Sequence, residues 1–142
     1  MLFRSVSDPL NMVFDSKANR LLILDVAQGR LSAIQATANG RLDPRLLSSY
    51  DAQPFGVQNP QGMTVDPASG RLFILDAASP RIVRVDLGPG QSLDGPAALR
   101  ERRIHEINLK QSGLVELRGI AFNPADGHLY VLSPARQTPD QR

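Results

Sequence analysis

Seven polar residues stand at matching places in three similar segments of the sequence, and their types suit ligand binding. Each segment contains two short apolar runs, and the seven residues lie just before the first run or just after the second: Asn11, Asp25, Asn59, Gln61, Asp76, Arg118 and Ser133. Carboxylate and amide oxygens are the ligands that a hard cation such as Ca²⁺ prefers. If the fold brings these ends together, they form a candidate ligand-binding site, with Ca²⁺ as its candidate cofactor.

Turn formation is the alternative role for the two aspartates, and the pattern favours it. Asp25 and Asp76 each follow an aliphatic run and precede a short polar stretch. An Asp in this position commonly accepts hydrogen bonds from the backbone of the turn that follows. We therefore expect both residues to cap turns, and we assign neither a metal site nor a cofactor to the chain.

No pattern in the sequence predicts a catalytic group. His105 and His128 are the only histidines, and neither has a second metal-ligating residue at helical or CxxC spacing. His128 occupies a position that is Arg in the other two segments. Ser133 lacks the G-x-S-x-G sequence of a nucleophile elbow. Neither G-x-G-x-x-G nor a P-loop occurs, so we predict no catalytic residue.

The elements that must position these residues are three repeats that align without a gap. They comprise residues 11–25, 62–76 and 119–133, whose starts are 51 and 57 residues apart. Repeats spaced in this way are typical of β-propellers, whose blades run roughly 40–50 residues before loop insertions. We therefore expect each repeat to be the inner half of one blade.

Each repeat contains the residues of a tight hairpin turn. Asp or Asn opens the turn and Gly or Asn closes it, at Asp15 and Asn19, Asp66 and Gly70, and Asn123 and Gly127. The opening side chain accepts backbone hydrogen bonds, and the closing residue tolerates a positive φ. We expect Arg20 and Arg71, which follow the turn, to pair with its carboxylate or to lie along the blade surface rather than to bind anions.

The second strand of every repeat is apolar at each position, over residues 21–24, 72–75 and 129–132. A strand with one solvated face would alternate apolar and polar residues, so both faces of this strand are predicted to be covered. A buried helix is the alternative, but each run is only about four residues long and turn residues bound it.

The sequence indicates the remaining strands of each blade less clearly than the first two. We predict third strands over Arg30–Gln35 and Arg81–Asp86, outer strands over Leu46–Tyr50 and Arg103–Leu109, and loops over 36–45 and 88–102, with a short helix at 96–103. Residues 2–6 are interpreted as the rim strand of a preceding blade, and no apolar strand follows Ser133.

The predicted fold class is therefore all-β, an incomplete β-propeller of four-stranded antiparallel blades. Residues 1–142 form a single partial domain of about two and a half blades, with repeat units near 8–51, 59–109 and 117–137.

The segment LRGIAFNPADGHLYVLS, with its N-P-x-x-G turn and aliphatic strand, carries a family resemblance. The repeats resemble those of NHL and YVTN propellers and are similar to the SdiA-regulated and phytase-esterase-like families over most of residues 8–136. The resemblance implies the fold, while these families include hydrolases, lactonases, adhesins and scaffolds. An acidic residue often precedes the strand-opening Gly in them. Here Gln61 and Arg118 stand in that place, which argues against a metal-dependent activity.

Composition excludes several classes of protein. The formal net charge is only +2 and no basic block occurs, so nucleic acid is not an expected partner. There is no Cys, which excludes disulfides and thiolate metal sites. No apolar stretch approaches the length of a membrane span, and the first residues lack the apolar core of a secretory signal. We expect the chain as written to be cytoplasmic, and a longer parent protein to be extracytoplasmic if it carries a leader.

The sequence predicts a propeller-type binding or scaffold module, a fragment of a longer protein whose ligand or protein partner is unknown. The alternative is part of a propeller hydrolase, of the lactonase or phytase-esterase kind, with most of the active site in blades that this sequence lacks. The terminal blades are each expected to leave one apolar face uncovered, and such faces promote self-association.

Overall fold

The computed structural model describes residues 11–87 and 103–134, and these form three antiparallel sheets. Blade one comprises β1 (Asn11–Asp15), β2 (Arg20–Asp25), β3 (Arg30–Ala36) and β4 (Leu42–Asp51). Blade two comprises β5 (Pro60–Asp66), β6 (Arg71–Asp76), β7 (Arg81–Asp86) and β8 (Ile104–Asn108), and blade three comprises β9 (Gly119–Asn123) and β10 (His128–Leu132). The strand predicted at 2–6 and the loop at 88–102 lie outside the described residues, as do nearly all of the helix predicted at 96–103 and residues 135–142.

The hairpin turns form as their residues predict. Asp15 Oδ1 accepts hydrogen bonds from the backbone N–H groups of Lys17 and Ala18, both at 3.2 Å. Asp66 and Asn123 make the corresponding bonds in the other two repeats, each at 3.0 Å. The closing residues have positive φ, with Asn19 at 55° and Gly70 and Gly127 at 73°. The prediction that these residues are turn formers is confirmed.

The two arginines that follow the turns pair with different carboxylates. Arg20 Nε lies 3.8 Å from Asp15 Oδ2, as expected. Arg71 Nε instead lies 3.6 Å from Asp86 Oδ1, with its side chain 47% exposed on the blade surface, which is the second of the two predicted arrangements. Asp86 is opposite Arg71 in the register of β6 and β7, which brings the cross-strand carboxylate within reach.

Strand β6 is covered on both faces, as its unbroken apolar sequence predicts. Leu72 and Ile74 are both 0% exposed and belong to a cluster shared with Leu22, Leu24 and Leu31 of blade one. On the opposite face, Phe73 stacks against Phe122 of blade three, with ring centroids 5.9 Å apart. Blade two is therefore enclosed between two neighbours.

The inner strands of the three blades lie side by side and hold the blades together. Strand β1 lies beside β5, and β5 lies beside β9. Asn11 Nδ2 donates to the carbonyl oxygen of Pro60 at 3.3 Å, and the N–H of Phe122 donates to Thr64 Oγ1 at 3.0 Å. Gly62 permits this closeness, because a Cβ there would lie 3.4 Å from the backbone N of Ile120.

The outer strand of blade one is longer than predicted. It begins at Leu42 rather than Leu46, and β3 continues to Ala36, so the loop predicted over 36–45 is reduced to 37–41. A tight turn replaces it, in which the N–H of Thr37 donates to the carbonyl oxygen of Arg41 at 2.7 Å. Pro44 lies within this strand, and an outermost strand tolerates proline because its outward N–H is not needed for pairing. The outer strand of blade two, β8, lies within its predicted range.

A short 3₁₀ helix, η1 (Gln53–Phe55), connects the first two blades and was not predicted. Phe55 is 3% exposed and joins the cluster between blades one and two. Within residues 11–87 and 103–134, no helix has both the length and the apolar character needed to span a membrane.

The outer faces of the terminal blades are only partly open. Tyr130 and Leu132 of blade three are 52% and 66% exposed, as expected for the outer face of a terminal blade. The prediction that the second strand of every repeat is covered on both faces is therefore wrong for β10. On the outer face of blade one, Met12 is 60% exposed, but Ile23 and Ile34 are each 1% exposed. The expectation of a fully uncovered apolar face is therefore wrong for the centre of blade one.

Candidate functional site

The seven predicted site residues lie at one end of the blades, where the second strand ends and the inner strand begins. We call this the channel end. The strand bounds and pairing place every member of the set at or beside these strand termini: Asn11, Asp25, Asn59, Gln61, Asp76, Arg118 and Ser133.

Hydrogen bonds join some of these residues and not others. Gln61 Nε2 donates to Asn59 Oδ1 at 3.0 Å, and the N–H of Asn59 donates to Asp76 Oδ1 at 3.1 Å. Asp25 instead accepts from the N–H of Gln28 at 3.1 Å, within its own turn. Arg118 pairs with Glu116 at 2.9 Å. The polar cluster at the channel end therefore belongs to blade two.

A β-bulge sets the position of Gln61. Pro60 pairs with Asp76 and Gly62 with Leu75, so Gln61 is an extra residue in β5. A bulge re-aims the side chain that it carries and is common beside functional sites. The equivalent positions of blade one precede Asn11 and lie outside the described residues. The repeat pattern alone does not reveal it.

Asp76 is the most heavily bonded group of the cluster. It is 1% exposed. Its carboxylate accepts hydrogen bonds from the backbone N–H groups of Gln58, Asn59 and Ala78 at 3.1–3.3 Å. Arg81 adds two more, from Nε at 3.2 Å and Nη2 at 3.0 Å. The carboxylate thus anchors the loop that enters β5 as well as its own turn.

Arg81 extends this anchor to two other elements. Its Nη2 also donates to the carbonyl oxygen of Gly56 at 2.6 Å, and its Nη1 donates to Glu106 of β8 at 3.2 Å. The sequence reasoning missed this residue. A signal was present, because Arg follows Asp by five residues in both complete repeats, at Asp25 and Arg30 and at Asp76 and Arg81.

The pKa of Asp76 reflects two opposing influences. Burial, the largest, would raise the pKa, but the bonds from Asn59, Arg81, Ala78 and Gln58 outweigh it and hold the pKa below its ordinary value. A carboxyl whose pKa is lowered by folding stabilises the protein above its unfolded pKa. That stabilisation is lost as the pH falls through the folded pKa.

The pH dependence of stability can therefore be attributed to Asp76 by substitution. We expect wild type to melt well above Asp76→Asn near neutral pH, because only the charged carboxylate pairs with Arg81. The difference in melting temperature should narrow as the pH falls below about 4. Thermal melts of both proteins, followed by circular dichroism across this range, measure it. A difference that stays constant into acid would contradict the assignment.

A cleft of about 220 Å³ lies beside the cluster, between the β2–β3 turn and the segment that carries η1. Its lining is uncharged throughout and comprises Leu24, Val26, Gly29, Ala52, Gln53, Gly56, Val57 and Gln58. Sites for drug-sized molecules are usually larger, about 300–1,000 Å³. The cleft therefore suits one side chain of a larger ligand.

Metal binding at this end would compete with the bonds already described, because both Asp25 and Asp76 accept backbone N–H groups. Within the described parts of the chain, no three or more His, Asp or Glu residues are grouped so that they could hold a metal ion.

Comparison with known proteins shows a similarity of fold to two solved structures. No protein-family model matches the chain, and no curated protein matches its sequence. A chain in the crystal structure of the nidogen/laminin complex aligns over 87% of this chain, with a TM-score of 0.59 and 18% identity. Hydrazine synthase of Kuenenia stuttgartiensis aligns over 92% of this chain, with a TM-score of 0.55 and 17% identity.

These similarities establish a β-propeller-like fold, in agreement with the three stacked sheets. The chain spans 38% and 31% of the lengths of the two matched chains. Sequence identity at this level shows shared architecture and carries no activity from one protein to another.

Proposed function

We propose that this chain is a binding or scaffold module of a propeller of the NHL/YVTN type, and that residues 1–142 form one partial domain of that propeller. Its ligand is a neutral, extended peptide segment that binds at the channel end of blade two. The observation that carries this proposal is the uncharged cleft, whose lining includes the amide side chains of Gln53 and Gln58.

The chemistry of the site suits a peptide backbone. Gln53 and Gln58 line the cleft, and Asn59 and Gln61 follow along the chain. An amide side chain both donates and accepts hydrogen bonds, as a peptide group does. The apolar floor, which includes Leu24 and Val26, would take one aliphatic side chain. A charged side chain would lose its hydration there without a partner, at considerable cost.

The loop that carries these amides is held in place before any ligand arrives. Asp76 and Arg81 bond to the backbone of Gly56, Gln58 and Asn59. A loop fixed in its binding conformation has less conformational entropy to lose when the ligand binds. The ion pair thus serves recognition by rigidifying the site, without touching the ligand.

Peptide selection tests the proposal. A library of linear peptides displayed on phage is selected against the full chain, and the binding of enriched peptides is then measured by fluorescence anisotropy. We expect neutral sequences with one aliphatic anchor. Gln58→Ala and Gln61→Ala should each weaken binding about fivefold, the effect of losing one hydrogen bond of about 1 kcal/mol.

Gln111→Ala is the matched control, because Gln111 is an exposed amide in the segment after β8 and does not line the cleft. Peptides that bind this control and the two variants equally would place recognition elsewhere and contradict the proposal, as would a selection that enriches charged sequences.

A further inference from the structure

Two connectors join the three blades, and they turn in the same way. The first connector comprises residues 52–59, between β4 and β5, and the second connector comprises residues 109–118, between β8 and β9. Each turns at a glycine with positive φ, which is 67° at Gly56 and 79° at Gly113. Each glycine is the fifth residue of its connector. The two connectors can therefore be compared position by position.

The first residue of each connector makes the same backbone hydrogen bond. The N–H of Ala52 donates to the carbonyl oxygen of Gly29 at 2.8 Å, and the N–H of Leu109 donates to that of Pro80 at 2.8 Å. Gly29 and Pro80 each come directly before the third strand of their blade. Ala52 therefore corresponds to Leu109, and Gly29 corresponds to Pro80.

These corresponding positions differ in the size of their side chains. Leu109 packs against the cluster that contains Leu75. Ala52 has only a methyl group and Gly29 has no side chain, and both line the cleft of about 220 Å³ together with Leu24. Leu24 is the repeat counterpart of Leu75. The cleft therefore lies where the second connector places a leucine side chain.

A large residue at another position of the first connector does not fill this space. Phe55 stands where the second connector has Ser112, and it is 3% exposed. Its ring packs in the core cluster between blades one and two and does not line the cleft. The missing leucine side chain is thus not replaced by the phenylalanine.

Gly29 preserves the shape of the cleft in a second way. Its φ of 63° is a conformation that favours glycine. A Cβ at this position would lie 3.0 Å from Gln53 Cγ, closer than Cβ atoms normally approach other groups. Any other residue would therefore displace Gln53, whose side chain lines the cleft.

We infer that the cleft selects a leucine-sized aliphatic side chain of the ligand, and that Ala52 and Gly29 are the residues that set this specificity. The inference rests on the proposed function, because it identifies the anchor residue of the peptide that binds at the channel end. The anchor takes the place that Leu109 fills in the second connector. A smaller side chain leaves part of the cleft without contacts, and an aromatic ring exceeds the space that a leucine fills.

Capped amino acids are the probe, because each presents one side chain between two amide groups. N-acetyl-leucinamide should shift the backbone amide resonances of Gln53 and Val57 saturably when it is titrated into the isotope-labelled full chain. N-acetyl-valinamide, which is smaller by one methylene group, should bind about fourfold more weakly. N-acetyl-phenylalaninamide should cause no saturable shift, because its ring overpacks the cleft.

Ala52→Leu tests the residue that sets the size of the cleft. The new side chain should fill the cleft from the connector itself and abolish the shifts caused by N-acetyl-leucinamide. The melting temperature should equal or exceed that of wild type, because the second connector carries leucine at this position with the same backbone hydrogen bond. Ala125→Leu is the matched control, since it adds the same side chain at an exposed position of the turn between β9 and β10 and should leave binding unchanged.

Three results would overturn the inference. They are equal binding of the leucine, valine and phenylalanine compounds, no saturable shift with the leucine compound at its solubility limit, and a melting temperature of Ala52→Leu several degrees below that of wild type. The proposed function can fail separately. Peptides that bind at the channel end through an anchor of another size would contradict this inference alone, whereas a leucine compound that binds in the cleft while no peptide is enriched would contradict the proposed function alone.

Discussion

Replacing Ile74 by Asp is expected to abolish cooperative folding. Ile74 is 0% exposed and lies in the cluster between blades one and two, together with Leu22, Leu24 and Val83. An unpaired carboxylate in this position costs several kcal/mol. A domain of this size has a total stability of only about 5–15 kcal/mol. Thermal and urea unfolding followed by far-ultraviolet circular dichroism measure the loss.

Two matched substitutions show that burial causes the effect. Ile74→Val should cost only about 0.5–1.5 kcal/mol, because it removes one methylene group from the same place. Met12→Asp places the same charge on β1, where the native side chain is 60% exposed, and should be tolerated. Normal melting of Ile74→Asp would show that β6 is not enclosed between two sheets.

The parts of the fold that the sequence predicts are those decided by local chemistry. The turn from Asp66 to Gly70 needs a hydrogen-bond acceptor at its start and a residue with positive φ at its end. Asp and Gly are the residue types that meet these two requirements, so the turn could be predicted from the sequence. The enclosed strand β6 was predicted for a similar reason, since an unbroken apolar run is typical of a strand covered on both faces. The same reasoning is wrong for β10, which is apolar throughout but has Tyr130 and Leu132 exposed on one face. The start of β4 was not predicted, because Pro44 carries a local signal against a strand that an edge position overrides.

The candidate site was only partly predictable. Position in the repeat places Asp76 at the correct end of the blade, but its partners lie in a loop 17 and 18 residues away in sequence. The bulge at Gln61 depends on register between two strands, which the residue types do not encode. The cleft requires the β2–β3 turn and the η1 segment to come together. Long-range geometry of this kind is decided by packing between blades.

Replacing Asp76 by Ala is expected to cause the second large loss of stability. The substitution leaves the guanidinium of Arg81, which is 16% exposed, without its closest carboxylate. The backbone N–H groups of Gln58, Asn59 and Ala78 lose their acceptor as well. Breaking a buried ion pair by removing one partner typically costs roughly 3–5 kcal/mol. Urea unfolding at neutral pH measures this cost, and a variant as stable as wild type would contradict the anchoring role.

Two further variants, one at a surface carboxylate and one with a double substitution, separate the possible causes of the stability loss in Asp76→Ala. Asp43 also pairs with an arginine, since Arg45 Nη2 lies 3.0 Å from Asp43 Oδ2, but the side chain of Arg45 is 89% exposed. Asp43→Ala should therefore leave the melting temperature nearly unchanged, because water replaces the lost partner. Adding Arg81→Met to Asp76→Ala removes the uncompensated charge and should restore part of the lost stability. Recovery should stay incomplete, because the backbone N–H groups of the loop before β5 still lack an acceptor. Full recovery would mean that the charge alone was responsible, and that Asp76 does not hold this loop in place.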